Sequence, residues 1–281
     1  MTIRNALAAA IARLIAAGVE TPRLEAELLL AFVLQRGRTY LFAHPEAALA
    51  PEQSQAYEDL LLRRAGREPL PYLLGTWEFM GMPFRVGPGV LIPRPETETL
   101  VEAVVERLPP HARILDVGAG SGCISAGLAR MLPDATILGL EPSAAALEIA
   151  RQNVDALGFG DRISLIAGRF PEDAAGLGPL DALVSNPPYI PTAEVDTLAP
   201  ELRCYEPRRA LDGGPAGLDV LTPLTQVGAL LVKPGGLFAV EVAMGQADRV
   251  CALLRETGHW SEVETVADLA GIPRVVLARR N

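Results

Sequence analysis

Lysine is almost absent. Lys233 is the only one, so arginine carries nearly all of the positive charge. The balance is 25 basic against 34 acidic residues, a formal net charge of −9. A chain that holds nucleic acid by neutralising phosphates usually carries the opposite excess, so direct nucleic-acid binding is not expected. Cysteine and histidine are scarce too, three of each. Cys123, Cys204 and Cys251 are far apart and odd in number, which gives neither a disulfide framework nor a C-x-x-C knuckle. His44, His111 and His259 are equally scattered, so no metal site is expected. These shortages point to a reduced, cytoplasmic, metal-free protein. Long apolar runs are also missing. The strongest, Leu28 to Leu34, falls far short of the ~20 residues that a bilayer requires, so no membrane partner is expected. Acids are missing before Glu20, with Arg4 and Arg13 among alanines, a faint likeness to a transit peptide. The spacing of Ile3, Leu7, Ile11, Leu14 and Ile15 favours an amphipathic helix there, ended by Gly18.

What is present is ample for a folded core: 281 residues, 49% hydrophobic and 21% charged, which excludes disorder as a description of the chain. The length suits one large domain or two unequal ones. The first ~75 residues read as helical. A second helix starts at Thr21 as N-cap with Pro22 in its first turn, runs through Val33 and ends near Gly37; a third spans Pro51 to about Arg64. Composition shifts at Trp77, and Trp77–Val86 reads as a β-hairpin. Pro93 and Pro95 forbid a central strand or helix interior, and Pro95 with the acids after it suits a helix start running to about Leu108. From Ala112 onward, strand, glycine loop and helix alternate. The strands are expected at Arg113–Val117, Ile137–Leu140, Ile163–Ile166, Ala182–Ser185 and Leu237–Val242. The helices are expected at Cys123–Met131, Pro142–Leu157, Leu218–Val232 and Gln246–Glu256. A closing strand pair is expected at Glu262–Val266 and Arg274–Leu277. This alternation predicts an α/β fold, an open sheet with helices on both faces. The division expected is a helical substrate-recognition domain over 1–75, a hairpin linker over 76–92 and an α/β domain over 93–281.

Two motifs carry chemistry. Ile114-Leu115-Asp116-Val117-Gly118-Ala119-Gly120-Ser121-Gly122 is a buried strand running into a glycine loop. Such a loop lets backbone approach a ligand closely and turn sharply into a helix. Glu141 follows at the end of the next strand, where an acid can accept hydrogen bonds from ribose hydroxyls. The spacing departs from the dinucleotide pattern and is similar to the loop of S-adenosylmethionine-dependent methyltransferases. Asp116 is a candidate to orient the loop or to meet the methionine part of that cofactor.

The second motif is Asn186-Pro187-Pro188-Tyr189, where an apolar strand stops abruptly. Two prolines stiffen the backbone and remove two N–H donors, which leaves the local carbonyls acceptor-rich. Methylating a planar amide nitrogen is difficult because its lone pair is delocalised; the amide rotation barrier of ~18–20 kcal/mol measures how firmly it is held. Two acceptors aimed at the two N–H bonds draw the nitrogen toward tetrahedral geometry and stabilise the developing positive charge. The Asn186 side-chain oxygen and the Pro187 carbonyl are the candidates, and Tyr189 is expected to stack on the planar group. No general base is required before attack, and neither Asp181 nor Glu194 is assigned that role.

With these motifs assembled, the chain resembles the peptide-chain release factor glutamine N5-methyltransferases over nearly its whole length. The resemblance runs through Arg67–Gly75, Phe84–Val86, Val90–Glu98, Asp116–Cys123, Asn186–Tyr189, Glu206-Pro207, Leu211–Gly214, Lys233–Gly236 and Asp268–Arg274. It implies a Rossmann-like class I methyltransferase domain behind a small helical bundle, with S-adenosylmethionine as cofactor. The substrate implied is the glutamine of the Gly-Gly-Gln loop of release factors. Gly118, Ala119, Gly120, Ser121, Gly122 and Glu141 would then hold the cofactor, with Asn186 nearby. Asn186, Pro187, Pro188 and Tyr189 would hold the glutamine. The family usually has Asp where Glu141 stands, and often Trp beside the adenine where this chain has Phe170. The loop from Ile190 to Ala216 is expected to embrace substrate, and Pro93–Glu98 to line the entrance, with Arg94 and Glu96 as its polar members. A monomer is the default. The nearest rivals are a glutamine methyltransferase of a ribosomal protein and a DNA adenine-N6 methyltransferase; a non-catalytic cofactor-binding protein and a nicotinamide dehydrogenase are weaker.

Overall fold

A computed structural model describes all 281 residues and divides into two units. The first comprises Met1–Thr76 together with Ala199–Tyr205; the second comprises Trp77–Leu198 and Glu206–Asn281.

The first unit is built on α1 (Ile3–Ala16), α2 (Pro22–Leu34), α3 (Arg38–Ala43), α4 (Pro51–Ala65) and α5 (Leu70–Leu74). Leu14, Leu29, Leu30, Tyr57 and Leu61 fill its interior, and the Tyr57 hydroxyl donates to the Ala26 carbonyl at 2.9 Å. Pro22 opens α2 as the spacing predicts. The Thr21 hydroxyl, however, donates to the Glu25 side chain instead of capping backbone. Gly37 does not end α2. Gln35 does so in the left-handed conformation, and Gly37 is the N-cap of α3, a helix too short to show a period in the sequence. Arg64 is buried against Glu25. Glu201, from the 199–205 segment, accepts from Arg64 Nη2 at 2.9 Å and from both Nε and Nη2 of Arg67 at 2.7 Å. The Tyr205 hydroxyl completes the attachment on the Gly66 carbonyl at 2.7 Å.

The hairpin follows: β1 (Thr76–Phe79) and β2 (Met82–Arg85). The second unit then runs α6 (Glu96–Val105), β3 (Arg113–Val117), α7 (Cys123–Met131), β4 (Thr136–Glu141), α8 (Ala144–Ala156), β5 (Ile163–Ala167) and β6 (Leu180–Ser185). Short helices α9 (Thr192–Val195) and α10 (Pro200–Tyr205, in the helical unit) interrupt the long loop. After it come α11 (Leu221–Leu231), β7 (Val232–Glu241), α12 (Ala247–Thr257), β8 (Trp260–Ala267) and β9 (Pro273–Arg280).

Seven strands form one sheet in the order β5-β4-β3-β6-β7-β9-β8. The first five run parallel; β9 runs antiparallel to β7, and β8 antiparallel to β9, so β9 alone is reversed in the sheet. The central strands are apolar on both faces because helices cover both. Ile114, Val184 and Ala239 enter one core cluster, while Leu115, Leu183 and Phe238 enter the other. The hairpin belongs to the first of these clusters. Phe79 and Phe84 meet edge to face at 6.1 Å between ring centres, both fully enclosed. Strand order reverses between β3 and β6, and there the crevice at the carboxyl ends opens.

Because Phe84 has no exposed surface, Phe84→Ala should destabilise the sheet unit by ~3–5 kcal/mol. An unfolding free energy from urea titration lowered by less than about 1 kcal/mol would show that the hairpin is not part of that core.

Candidate functional site

Parallel register brings four strand ends to one edge. Val117 pairs with Leu140 on one side and Ser185 on the other, and Ser185 pairs with Val240. Gly118, Glu141, Asn186 and Glu241 therefore stand together at the carboxyl side of the sheet. A cavity of about 470 Å³ opens there. Gly118, Ala119, Gly120, Ser121, Glu141, Phe170, Asn186, Pro187 and Pro188 all line it. Asp116, Gly122 and Tyr189 are not part of its wall.

The glycine loop turns with positive φ at Gly118, Gly120 and Gly122. Its amides point back into the protein. Gly118 N and Ala119 N donate to the Leu140 carbonyl at 2.8 and 3.2 Å, and Gly122 N to the Ala119 carbonyl at 2.7 Å. Gly120 N donates to Glu141 Oε2 at 2.9 Å, while Glu141 Oε1 accepts from Ser143 N at 2.8 Å. With the amides of Gly118, Ala119, Gly120 and Gly122 committed, the loop offers no continuous row of free N–H groups to a pyrophosphate, which would need one. Glu141 keeps unused lone pairs on both oxygens, since a carboxylate has about four acceptor sites.

Asp116 lies beneath the loop, between β3 and the first turn of α7. Its Oδ2 accepts from the Ser125 hydroxyl at 2.6 Å, and its Oδ1 has no partner. Burial pushes its carboxyl up to about 7; the Ser125 bonds oppose the shift and the charge of Glu141 adds to it. Burial likewise pushes the Cys123 thiol up to about 12, which keeps it protonated and inert.

Asn186 extends from β6, and its Nδ2 donates to Thr97 Oγ1 at 3.0 Å. Within the chain, its Oδ1 and the Pro187 carbonyl accept nothing. The Thr97 hydroxyl donates to Glu241 Oε2 at 2.6 Å, and the Tyr189 hydroxyl to Glu241 Oε1 at 3.1 Å. The Tyr189 ring packs on the second core cluster, which takes it off the cavity wall, where stacking was expected. Burial and the facing carboxylate push its phenol above the ordinary range. Burial also raises Glu241; the bonds from Thr97 and Tyr189 and the charge of Arg274 counter part of that rise.

The long loop returns against this backbone. Ile190 N donates to the Leu211 carbonyl at 3.0 Å and Gly213 N to the Ile190 carbonyl at 2.8 Å. A Cβ on Gly217 would stand 2.2 Å from the Tyr189 carbonyl oxygen, so no side chain fits. Arg94 lines the cavity and pairs with buried Glu206, which also accepts from Ile92 N at 3.1 Å. Glu96 is exposed and off the wall; Thr97 is the member of that segment that reaches the site. Asp181 is spent on Lys233 and on Arg113 N. It lies five residues before Asn186 along β6, about 16 Å of strand.

Sequence reasoning missed Thr97, Glu206 and Glu241. The one signal available for Glu241 was an acid inside the apolar run Phe238–Val242.

The matching family models are the PrmC N-terminal domain, over residues 5–75, and the Methyltransferase small domain, over residues 95–212. The chain is 46% identical to the Release factor glutamine methyltransferase of Moorella thermoacetica, covering 100% of this chain and 99% of that one. It is 45% identical to the protein of that name from Geobacter sulfurreducens, over 93% and 91% of the two chains. Among solved structures, a methyltransferase from Pyrococcus furiosus superposes with a TM-score of 0.54 at 16% identity, covering 72% of this chain and 90% of that one. That likeness bears on the fold alone.

Asp116 generates a pH test. Its carboxyl titrates near 3.8 when free and near 7 in the fold. Between those values the folded state binds more protons than the unfolded state. The stabilising contribution of this group is therefore complete at low pH and lost as pH rises through the folded value. Asp116→Asn removes that dependence, so its stability relative to wild type should rise between about pH 4 and about pH 7 and level off above that. Parallel urea-stability profiles for the two proteins would contradict the assignment.

Proposed function

The chain belongs to the release factor glutamine methyltransferases, and on that footing we propose that Asn186 and Pro187 grip the substrate amide while the glycine loop and Glu141 hold the methyl donor. It is an S-adenosylmethionine-dependent enzyme of the class I methyltransferase fold, and it methylates the side-chain nitrogen of a glutamine in release factors.

The cavity suits that donor. Its glycine loop presents no free row of amides for phosphate, and Glu141 offers acceptor sites to a ribose. Phe170 and Leu140 supply apolar wall, and Phe170 is our candidate for the adenine contact. When bound, S-adenosylmethionine supplies an electrophilic methyl group on a sulfonium.

The remaining work falls to the chain. The single observation that carries the reading is the pair of unspent acceptors, Asn186 Oδ1 and the Pro187 carbonyl, at the end of β6. Two acceptors fit the two N–H bonds of one primary amide. They hold the nitrogen in place and favour loss of planarity as its lone pair is drawn out of conjugation. They also stabilise the positive charge that grows on it. The extra proton leaves after transfer, when the nitrogen is cationic and strongly acidic. Asp181 is remote and committed elsewhere, and Glu194 is exposed on α9; neither serves as base. Tyr189, tethered to Glu241, fixes the tetrad backbone from behind.

We assign substrate recognition to the helical unit, which carries an open groove lined by Leu28, Ala31, Phe32, Leu60 and Leu74. The target within the release factor is the Gly-Gly-Gln glutamine, the working unit is a single chain, and the compartment is the cytoplasm. No helix is long and apolar enough to cross a membrane.

The test offers the protein radiolabelled S-adenosylmethionine with a release factor, its Gly-Gly-Gln→Gly-Gly-Ala variant, and duplex DNA. Label should enter the unaltered release factor alone; label on DNA or on the Ala variant would overturn the target. Asn186→Ala should lower kcat by roughly 10²–10³-fold while donor binding by calorimetry persists. Glu141→Ala should instead weaken donor binding by at least about tenfold, and an unchanged Kd would remove Glu141 from the site.

A further inference from the structure

Glu241 is an expensive residue to keep. It is 1% exposed, at the end of the apolar run Leu237–Val240, and a buried carboxylate forfeits its hydration unless partners compensate. It is not on the cavity wall and touches no reacting atom. We propose that Glu241, acting through Thr97, fixes which way round the Asn186 amide stands, and so makes the site accept a glutamine and refuse a glutamate. The inference rests on the role given to Asn186 and Pro187 above.

The argument is a count of protons. Glu241 is taken as the ionised carboxylate, which the bonds from Thr97 and Tyr189 and the charge of Arg274 favour against the pull of burial; in that form it accepts hydrogen bonds and donates none. Both hydroxyls that reach Glu241 therefore give it their protons, Thr97 to Oε2 and Tyr189 to Oε1. A threonine hydroxyl has one proton. With that proton spent, Thr97 Oγ1 has only lone pairs to offer its other neighbour. That neighbour is the Asn186 amide at 3.0 Å, and only its NH₂ end can meet a lone pair. The opposite flip would set Oδ1 against an oxygen with nothing to donate. Asn186 Oδ1 is thus directed to the cavity, beside the Pro187 carbonyl.

Specificity follows. Two neighbouring acceptors require two donors on one ligand atom, which the NH₂ of a glutamine side chain provides. A glutamate has the same shape but brings only oxygens, and faces two acceptors with no proton between them. Remove the constraint and the Asn186 amide is free to turn its NH₂ outward, where it suits a carboxylate better than an amide. Glu241 and Thr97 are positioning residues for this purpose.

The experiment uses the full chain and the variants Thr97→Val, Thr97→Ser and Glu241→Gln. Four quantities are measured: kcat, KM for release factor, the S-adenosylmethionine Kd, and the inhibition constant of a release factor carrying Gly-Gly-Glu. Thr97→Val and Glu241→Gln should lower kcat by at least about tenfold. In both, the preference for the glutamine over the glutamate protein should fall by about tenfold or more. Donor Kd should stay within about twofold of wild type, because the donor end of the site is untouched. Thr97→Ser, which keeps the hydroxyl, should restore the preference that Thr97→Val loses. Folded Thr97→Val and Glu241→Gln proteins with the wild-type preference overturn the inference, as does a serine variant no better than the valine one. Parallel loss of donor binding and thermal stability would reduce Glu241 to a structural role, which also overturns it. A wild-type chain that labels no release factor fails the functional reading itself. Label on release factor together with an unmoved preference in the variants fails this inference alone.

Discussion

Val117 and Ser185 face each other across the parallel β3–β6 pair, and the Ser185 hydroxyl closes the pairing on the Val117 carbonyl at 2.7 Å. The next residue on one strand is Gly118 and on the other Asn186. A slip of one residue would turn every side chain of β6 to the opposite face. Asn186 would then leave Thr97, and the two-sided apolar pattern of Leu183 and Val184 would be inverted in the core. The packing that stabilises the sheet is therefore the same constraint that sets the reactive ends in register. The neighbouring strands extend it, with β4 delivering Glu141 and β7 delivering Glu241.

At the ends of β4 and β6 the chain arranges acceptors. The amides of Gly118, Ala119, Gly120 and Gly122 are consumed by the Leu140 and Ala119 carbonyls and by Glu141. The prolines of the tetrad have no N–H to offer. The cations on the cavity wall are Arg94, paired with Glu206, Arg209, on the Ser143 hydroxyl, and Arg169. Toward the cavity the strand ends themselves present oxygen, as the free lone pairs of Glu141, Asn186 Oδ1 and the Pro187 carbonyl. Such a surface favours ligands that are cationic or rich in N–H and O–H groups, and suits a reaction whose electron demand places positive charge on both donor and product nitrogen. The excess of acids over bases in the whole chain points the same way.

The repeating elements were legible because burial on both faces of the sheet leaves a strong local signature. Cys123–Met131 and Arg113–Val117 fall where periodicity predicts them, and other elements shift at their ends by a few residues. The glycine loop and the tetrad were legible because backbone chemistry confined to a few residues defines them. The short helices α3 and α5 were not, since six and five residues hold too few turns to show a stripe. The wiring of the site was least visible. Thr97 meets Glu241 across 144 positions and Asn186 across 89. No local pattern encodes a pair so distant, and a threonine between two glutamates looks like any solvated helix start. Tyr189 shows the converse: its type and place were clear, but the direction of its ring depended on a carboxylate in another strand.

The helical unit is not one continuous stretch of chain. The polypeptide leaves it at Thr76, re-enters at Ala199 and departs again after Tyr205. Its buried Arg64 and its Arg67 find Glu201 only on that second visit. An excised fragment ending at Thr76 would carry two guanidinium groups stripped of a shared counterion. A chimaera that exchanged the amino-terminal helices between relatives would inherit one half of an ion cluster and lose the other. Positions 64, 67 and 201 thus form one heritable unit, and any graft of this helical unit has to transplant the seven-residue piece Ala199–Tyr205 from far along the chain with it.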